Sequence, residues 1–200
     1  KKPKFWDYKK PNIYAYCLQP IAYILQILNS IKSLKRIKNQ KSKIKTICIG
    51  NIYIGGTGKT SLSIKINEIL NSNNMKSCFI KKFYKSQLDE KKLLEKRGKV
   101  FSSLKRIDAI NQAVDEEFDV AILDDGLQDQ TLKCDINFVC FNSKNWIGNG
   151  LTIPAGPLRE NIKNLKNYQH IFINGNNDDL SEIKKDILKI NPNINIHVGI

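Results

Sequence analysis

The feature that most constrains the fold is a glycine-rich turn, Gly55-Gly56-Thr57-Gly58-Lys59-Thr60, set between an apolar run and a helical pattern. Lys45 to Gly50 reads as a short buried strand, and Ser61 to Leu70 places Leu62, Ile66, Ile69 and Leu70 on one helical face. Strand, glycine turn and helix in that order make a phosphate cradle. Glycines let backbone N–H groups curl round an anion, and the helix N-terminus adds the positive end of its dipole. Gly55, Gly56, Thr57, Gly58, Lys59 and Thr60 are therefore the expected nucleotide-binding residues. In such a loop Lys59 reaches the β and γ phosphates and Thr60 presents its hydroxyl to Mg²⁺. The strict spacing asks for glycine at position 53, where this chain has Tyr53.

A second signature lies downstream. Phe118 to Leu123 is an apolar strand that ends in Asp124-Asp125-Gly126. Acids at the carboxyl end of a parallel strand face the crevice where ligands of open α/β sheets bind, and they suit a metal ion there. A bare Asp-Gly turn is the other reading of the same residues. Further strands are expected near 77–80, 99–102, 136–141, 170–174 and 194–198, and a further helix over Ser181 to Ile190. The Asn-rich stretches Asn71 to Asn74 and Asn174 to Asn177 read as loops. The fold class is thus α/β: a P-loop NTPase-like, mostly parallel sheet flanked by helices.

With 41% hydrophobic and 26% charged residues the 200-residue chain can bury a core. Its net charge of +14 is uneven, because residues 1–45 alone carry +11. Within that arm Pro11 to Ile31 holds no charge, and lysines bracket it: Lys9 and Lys10 before, Lys32 and Lys35 after. Tyr14, Tyr16, Tyr23 and Trp6 prefer the headgroup level of a bilayer, and the lysines suit anionic lipid. The expectation is an interfacial helix, kinked or broken near Pro20, with a core helix as the alternative. A nucleic-acid binder would interleave aromatics and lysines along a groove rather than frame an uncharged stretch, so nucleic acid is not an expected partner. The five cysteines are odd in number and show no C-x-x-C pair, which reads as reduced thiols.

These blocks, with Gly148-Asn149-Gly150, Pro154-Ala155-Gly156-Pro157-Leu158-Arg159-Glu160 and an opening Lys2-Pro3-Lys4-Phe5-Trp6, resemble the tetraacyldisaccharide 4'-kinases of lipid A synthesis. The resemblance implies transfer of the γ-phosphoryl of ATP, with Mg²⁺, to the 4'-hydroxyl of a lipid disaccharide 1-phosphate. The setting it implies is peripheral, at the cytoplasmic face of an anionic inner membrane. Carried over by position, Asp89 stands near the acceptor hydroxyl as a catalytic carboxylate, joined in catalysis by Lys59 and Asp125. Metal ligands would be Thr60, Glu90 and Asp124, and Arg106, Gln128, Arg159 and Glu160 would contact substrate.

Several positions depart from the pattern. Lys82-Phe83-Tyr84-Lys85 replaces an Arg-Gly-Tyr-Gly stretch, Leu88 replaces a glycine before Asp89-Glu90, and Asp129 stands where a His is common. Read without the family, Asp89 and Glu90 are acids in the first turn of an ordinary helix. A catalytic His from a C-terminal subdomain has no match, and His197 lies in a strand-like run. The expected organisation is a membrane-associating segment over 1–44, a kinase domain over 45–168 and the start of a C-terminal α/β part over 169–200. No obligate protein partner is inferred. A membrane-tethered P-loop ATPase with a regulatory or positioning role is the alternative.

Overall fold

The computed structural model describes residues 2–35, 40–84, 88–129, 131–175 and 180–199. Among the described residues seven strands and five α-helices follow one another as α1 (Ile13–Lys35), β1 (Lys45–Gly50), α2 (Lys59–Ser72), β2 (Ser77–Lys82), α3 (Leu88–Glu95), β3 (Val100–Ser103), α4 (Arg106–Asp115), β4 (Val120–Asp124), β5 (Ile136–Asn142), β6 (His170–Asn174), α5 (Ser181–Ile190) and β7 (Asn195–Gly199). The strand order is β3-β2-β4-β1-β5-β6-β7. β1 pairs with β4, β2 with both β3 and β4, and β6 with β7, all in parallel. The alternating βα pattern therefore yields the parallel α/β sheet expected, with strand ends shifted by one or two residues.

The chain divides into two interleaved compact units: residues 1–37, 51–57 and 139–200 form one, and 38–50 with 58–138 the other. Residues 1–37 fall in the first unit, and their contacts within it are non-local. In the first unit Trp6 Nε1 donates to the Pro154 carbonyl at 3.0 Å, and Gln26 Nε2 donates to Thr152 Oγ1 at 2.6 Å.

In the unit built on residues 38–50 and 58–138, β4 is buried along its whole length and lies between β1 and β2. Its run Val120-Ala121-Ile122-Leu123 is apolar on both faces, as a central parallel strand needs to be. Cys48, Cys78, Ile80, Phe101, Ala121 and Leu123 from the strands pack with Ala109, Ile110 and Ala113 of α4. Full burial of an Ile, Leu or Phe side chain contributes about 1.5–3 kcal/mol, so this layer fixes where β4 ends. On α2, Asn67 is buried and accepts from Ser77 Oγ at 2.8 Å while donating to the Arg97 carbonyl at 3.2 Å. That helix runs on through Ser72, so Asn71 is helical rather than part of a loop.

In the other unit, Ile171 and Ile173 of β6 are buried, as are Ile183 and Ile187 of α5, on the spacing of one helical face. Helix α1 is continuous across Pro20, and the break expected there does not occur. An interior proline costs about 3 kcal/mol through a lost N–H and a steric clash. Twenty-three residues of helix, started by Asn12 whose Oδ1 accepts from Ala15 N at 3.1 Å, absorb that loss. Ala15 and Ala22 are buried, whereas Tyr14, Tyr16, Tyr23, Ile24 and Ile27 are each more than half exposed. No described helix is long and apolar enough to cross a membrane.

Candidate active site

The glycine turn begins where β1 ends. Gly55 has φ 140° and Gly58 φ 83°, backbone that side chains with a Cβ rarely adopt, which is why glycine stands at both places. Gly58 is the N-cap of α2 and no side chain caps that end, so the first-turn N–H groups at Lys59 and Thr60 keep their capacity for an anion. Within its own unit, the Asn51–Thr57 stretch is fastened by backbone: Ile54 N donates to the Pro157 carbonyl at 2.9 Å and Arg159 N to the Ile52 carbonyl at 2.7 Å. Asn51 Nδ2 donates to the carbonyls of Tyr53 at 2.7 Å and Gly55 at 3.3 Å. Thr57 is buried, and its Oγ1 has no partner among the described residues.

Tyr53, at the position where the strict motif has glycine, is almost fully buried and donates from its hydroxyl to Asp7 Oδ1 at 2.8 Å. Lys2 Nζ bonds both Asp7 and Tyr53. Burial works against the Asp7 carboxylate, but Lys2 and Tyr53 outweigh it and hold its pKa below the ordinary value. The opening motif also meets the Gly148–Pro154 region: Asn149 N donates to the Trp6 carbonyl at 3.0 Å. A Cβ at Gly148 would stand 2.2 Å from that carbonyl oxygen, and one at Gly156 would stand 2.1 Å from Asn149 Oδ1. Two stretches about 140 residues apart in sequence thus pack together and support the loop on one side.

At the carboxyl end of β4, Asp124 is the register partner of Ile49, near the end of β1 from which the loop departs. Its side chain is fully buried. Oδ2 accepts from Lys81 Nζ at 2.9 Å, and Oδ1 has no partner among the described residues. Lys81, on β2 and 3% exposed, donates also to Glu90 Oε2 at 2.6 Å from the first turn of α3. Burial alone would pull the Lys81 ammonium down, but Asp124 and Glu90 more than offset it, and its pKa is raised.

The next residue, Asp125, takes φ 58°, and its N–H donates to the Ile49 carbonyl at 2.8 Å. Gly126 lies so close to β1 that a Cβ would stand 2.8 Å from Cys48 Sγ. Arg106, the first residue of α4, is buried beneath this turn: Nη2 donates to the Asp125 carbonyl at 2.6 Å and Nη1 to Asp129 Oδ2 at 2.8 Å. Its Nε has no partner among the described residues. Asp129 Oδ1 accepts from Thr131 Oγ1 at 2.6 Å. Burial pushes the Asp129 carboxyl up, yet Thr131 and Arg106 prevail and hold its pKa below the ordinary value.

Two sets of sequence-selected residues therefore meet: Asp124 with Glu90 through Lys81, and Asp125 with Arg106. Lys59 and Thr60 open α2 in the same unit. Asp89 lies exposed in the first turn of α3, and Gln128 is exposed in the turn after Asp125. Gly55, Gly56, Thr57, Arg159 and Glu160 belong to the other unit. There the Glu160 carboxylate accepts from Asn164 at 2.8 Å and from the Tyr168 hydroxyl at 2.9 Å. A cavity of about 590 Å³ lined by Lys43, Lys45, Met75, Phe118 and Asp119 lies at the amino ends of β1 and β4. That is the wrong end of a parallel sheet for a nucleotide.

Sequence reasoning missed Lys81. A lysine preceded by Cys78, Phe79 and Ile80 in one strand is the signal that could have found it, since a charge buried in a sheet needs a partner. For a divalent cation the donor set fits. The unpartnered, buried Oδ1 of Asp124 is a hard oxygen, and the Thr60 hydroxyl begins the helix after the glycine turn.

A glycine loop opening a helix and an acid at the end of the neighbouring parallel strand define a P-loop NTPase-like protein. A family model for tetraacyldisaccharide-1-P 4'-kinase, LpxK, matches residues 14–199, and the chain belongs to that family. A tetraacyldisaccharide 4'-kinase of Pelagibacter ubique is 63% identical over 199 residues, covering 100% of this chain and 63% of that protein. One from Francisella tularensis subsp. novicida is 31% identical over 216 residues, covering 96% and 66%. The chain thus spans slightly less than two thirds of these relatives. Among solved structures, LpxK from Aquifex aeolicus in complex with ATP superposes with a TM-score of 0.69 at 23% identity, over 80% of this chain and 59% of that one.

Proposed function

We propose that this chain is the nucleotide-binding part of a tetraacyldisaccharide 4'-kinase, which transfers the γ-phosphoryl of ATP to the 4'-hydroxyl of a tetraacyldisaccharide 1-phosphate. The observation that carries this reading is the buried Asp124 with one carboxylate oxygen left open beside the strand that feeds the glycine loop. The loop amides from Gly55 to Gly58 and the start of α2 would receive the phosphates, with Lys59 on the transferred group. Thr60 and Asp124 would hold Mg²⁺, which supplies charge neutralisation between the β and γ phosphates when bound. Asp89, exposed at the start of α3, would receive the acceptor's hydroxyl proton, and Asp125 adjoins the carboxylate that would hold the metal. Arg106 keeps one N–H for an anion, and Gln128, Arg159 and Glu160 would face the acceptor sugar.

The acceptor is a lipid, and α1 supports a membrane surface as the place of reaction. Its exposed tyrosines, isoleucines and leucines form an apolar face on a helix too polar to span, and the flanking lysines suit the anionic cytoplasmic leaflet of the inner membrane. The test is ATP consumption by the full-length protein with and without the tetraacyldisaccharide 1-phosphate. The kinase consumes ATP only with the acceptor, and Lys59→Ala abolishes that consumption. Hydrolysis at the same rate without acceptor would instead establish a tethered ATPase.

A further inference from the structure

Neither the P-loop motif nor the family pattern assigns Lys81, a buried charge at this site. Its side chain is 4% exposed and its ammonium lies between two carboxylates from different elements: Asp124 Oδ2 at 2.9 Å and Glu90 Oε2 at 2.6 Å. A cation held by two carboxylate oxygens at the end of β4 occupies the kind of place a second metal ion takes in phosphoryl-transfer sites. We infer that Lys81 is a built-in monovalent cation that ties Glu90 to Asp124, withdraws Glu90 Oε2 from metal coordination and leaves Asp124 Oδ1 as the buried open oxygen of the pair. Lys81 is thus a positioning residue, acting through Asp124 and through the helix that carries Asp89 and Glu90. The inference rests on the kinase reading, under which Asp124 is a metal carboxylate.

Three features carry it. The geometry divides the Asp124 carboxylate unequally: one oxygen is bonded to the ammonium, and the other is buried and bare among the described residues. A buried carboxylate oxygen without a donor is costly, and a cation is the partner that removes the cost. Glu90 differs, since its side chain is 44% exposed and reaches inward to Lys81. Finally, the ammonium brings only one positive charge to two carboxylates. The cluster therefore keeps a net negative charge, enough to attract a divalent ion to Oδ1 but less than two bare acids would have.

The charge argument fixes the test, which is read in binding rather than turnover. Mn²⁺ binding to the nucleotide-free, full-length protein is measured from the free-ion electron paramagnetic resonance signal for the wild type, Lys81→Met, Lys81→Arg, Glu90→Gln and the Lys81→Met/Glu90→Gln pair. Removing the ammonium exposes two carboxylates to the ion, so Lys81→Met binds about tenfold tighter or more. Lys81→Arg stays within about threefold of the wild type, and the double variant returns to that range. Glu90→Gln leaves Asp124 and Lys81 as a neutral pair and weakens binding about tenfold. Unchanged or weaker binding by a folded Lys81→Met, or a double variant that stays about tenfold or more weaker than the wild type although its net charge is restored, overturns the inference. Should Lys81→Met fail to fold, the double variant decides alone, since it removes the ammonium together with the carboxylate that faces it. Failure of the kinase reading appears elsewhere, as absence of acceptor-dependent ATP consumption by the wild type, whatever the Mn²⁺ arms give.

Discussion

Lys81 and Arg106 are two buried cations in one unit, the first held by the last residue of β4 and the second by the acidic turn that follows it. Lys81 is a point charge between two carboxylates, Asp124 and Glu90. Arg106 is a planar fork that spends one arm on the Asp129 carboxylate and the other on a backbone carbonyl, that of Asp125. Each arrangement leaves one buried polar atom without a partner among the described residues, and the two atoms have opposite character: Asp124 Oδ1 accepts and Arg106 Nε donates. Such atoms are rare because each costs about 1–3 kcal/mol unless something bonds it. An open acceptor suits a metal ion and an open donor suits a phosphate oxygen. The difference teaches that one turn is preorganised toward both halves of a metal–nucleotide pair.

Breaking the lysine's side of the comparison has the largest effect. Asp124→Ala leaves the buried Lys81 with only the half-exposed Glu90, and an uncompensated buried charge costs about 3–5 kcal/mol. Chemical denaturation should show a midpoint lowered in proportion, and acceptor-dependent ATP consumption should vanish with the metal carboxylate. A variant that unfolds at the wild-type midpoint would mean that Lys81 reaches water or another acid and is not held as described.

The arginine's side is sharper in geometry and smaller in energy. Arg106→Lys keeps the charge but has no fork, so it cannot bond the Asp125 carbonyl and the Asp129 carboxylate together. One buried bond is lost, about 1–3 kcal/mol of stability. The affinity for ATP should fall about tenfold while Mn²⁺ binding without nucleotide holds, since the metal's oxygen lies on the other arrangement. Equal loss of both would merge what the structure separates.

The sheet was legible because a parallel core strand needs an unbroken apolar run. Phe118 to Leu123 followed by Asp124-Asp125-Gly126 announced both β4 and its acidic end, and Ser181 to Ile190 announced α5 through its 3.6-residue period. Lys81 was not legible, since its partners lie nine and 43 residues away and only folding brings them to it. Read locally, Lys81-Lys82 looks like the solvated end of a strand, and Lys82 is indeed less buried. Glu90, which the family resemblance gives to the metal, bonds Lys81, a partner from another element that no local pattern shows. Pro20 does not break α1, because a local penalty of about 3 kcal/mol is set against a helix whose length and contacts outweigh it. The partners that the opening motif finds near Asn149 and Pro154 were hidden as well, since they lie far away in sequence.

The smallest expected effect comes from the carboxylate that holds the arginine. Thr131 and Arg106 keep the Asp129 pKa below the ordinary aspartate value of about 3.9. A carboxyl depressed by folding binds fewer protons in the native state than in the unfolded one. Its contribution is therefore fully present above the unfolded value and is lost as pH falls through the folded one. In Asp129→Asn that contribution is absent at every pH. The variant should unfold at lower urea than the wild type near pH 7, and the gap should close as both are taken below about pH 4. A gap that stays constant from pH 7 to pH 3 would show that Arg106 draws no charge-dependent support from Asp129. Its fork would then be held by the Asp125 carbonyl alone, and the contrast with Lys81, which has two carboxylates, would be sharper still.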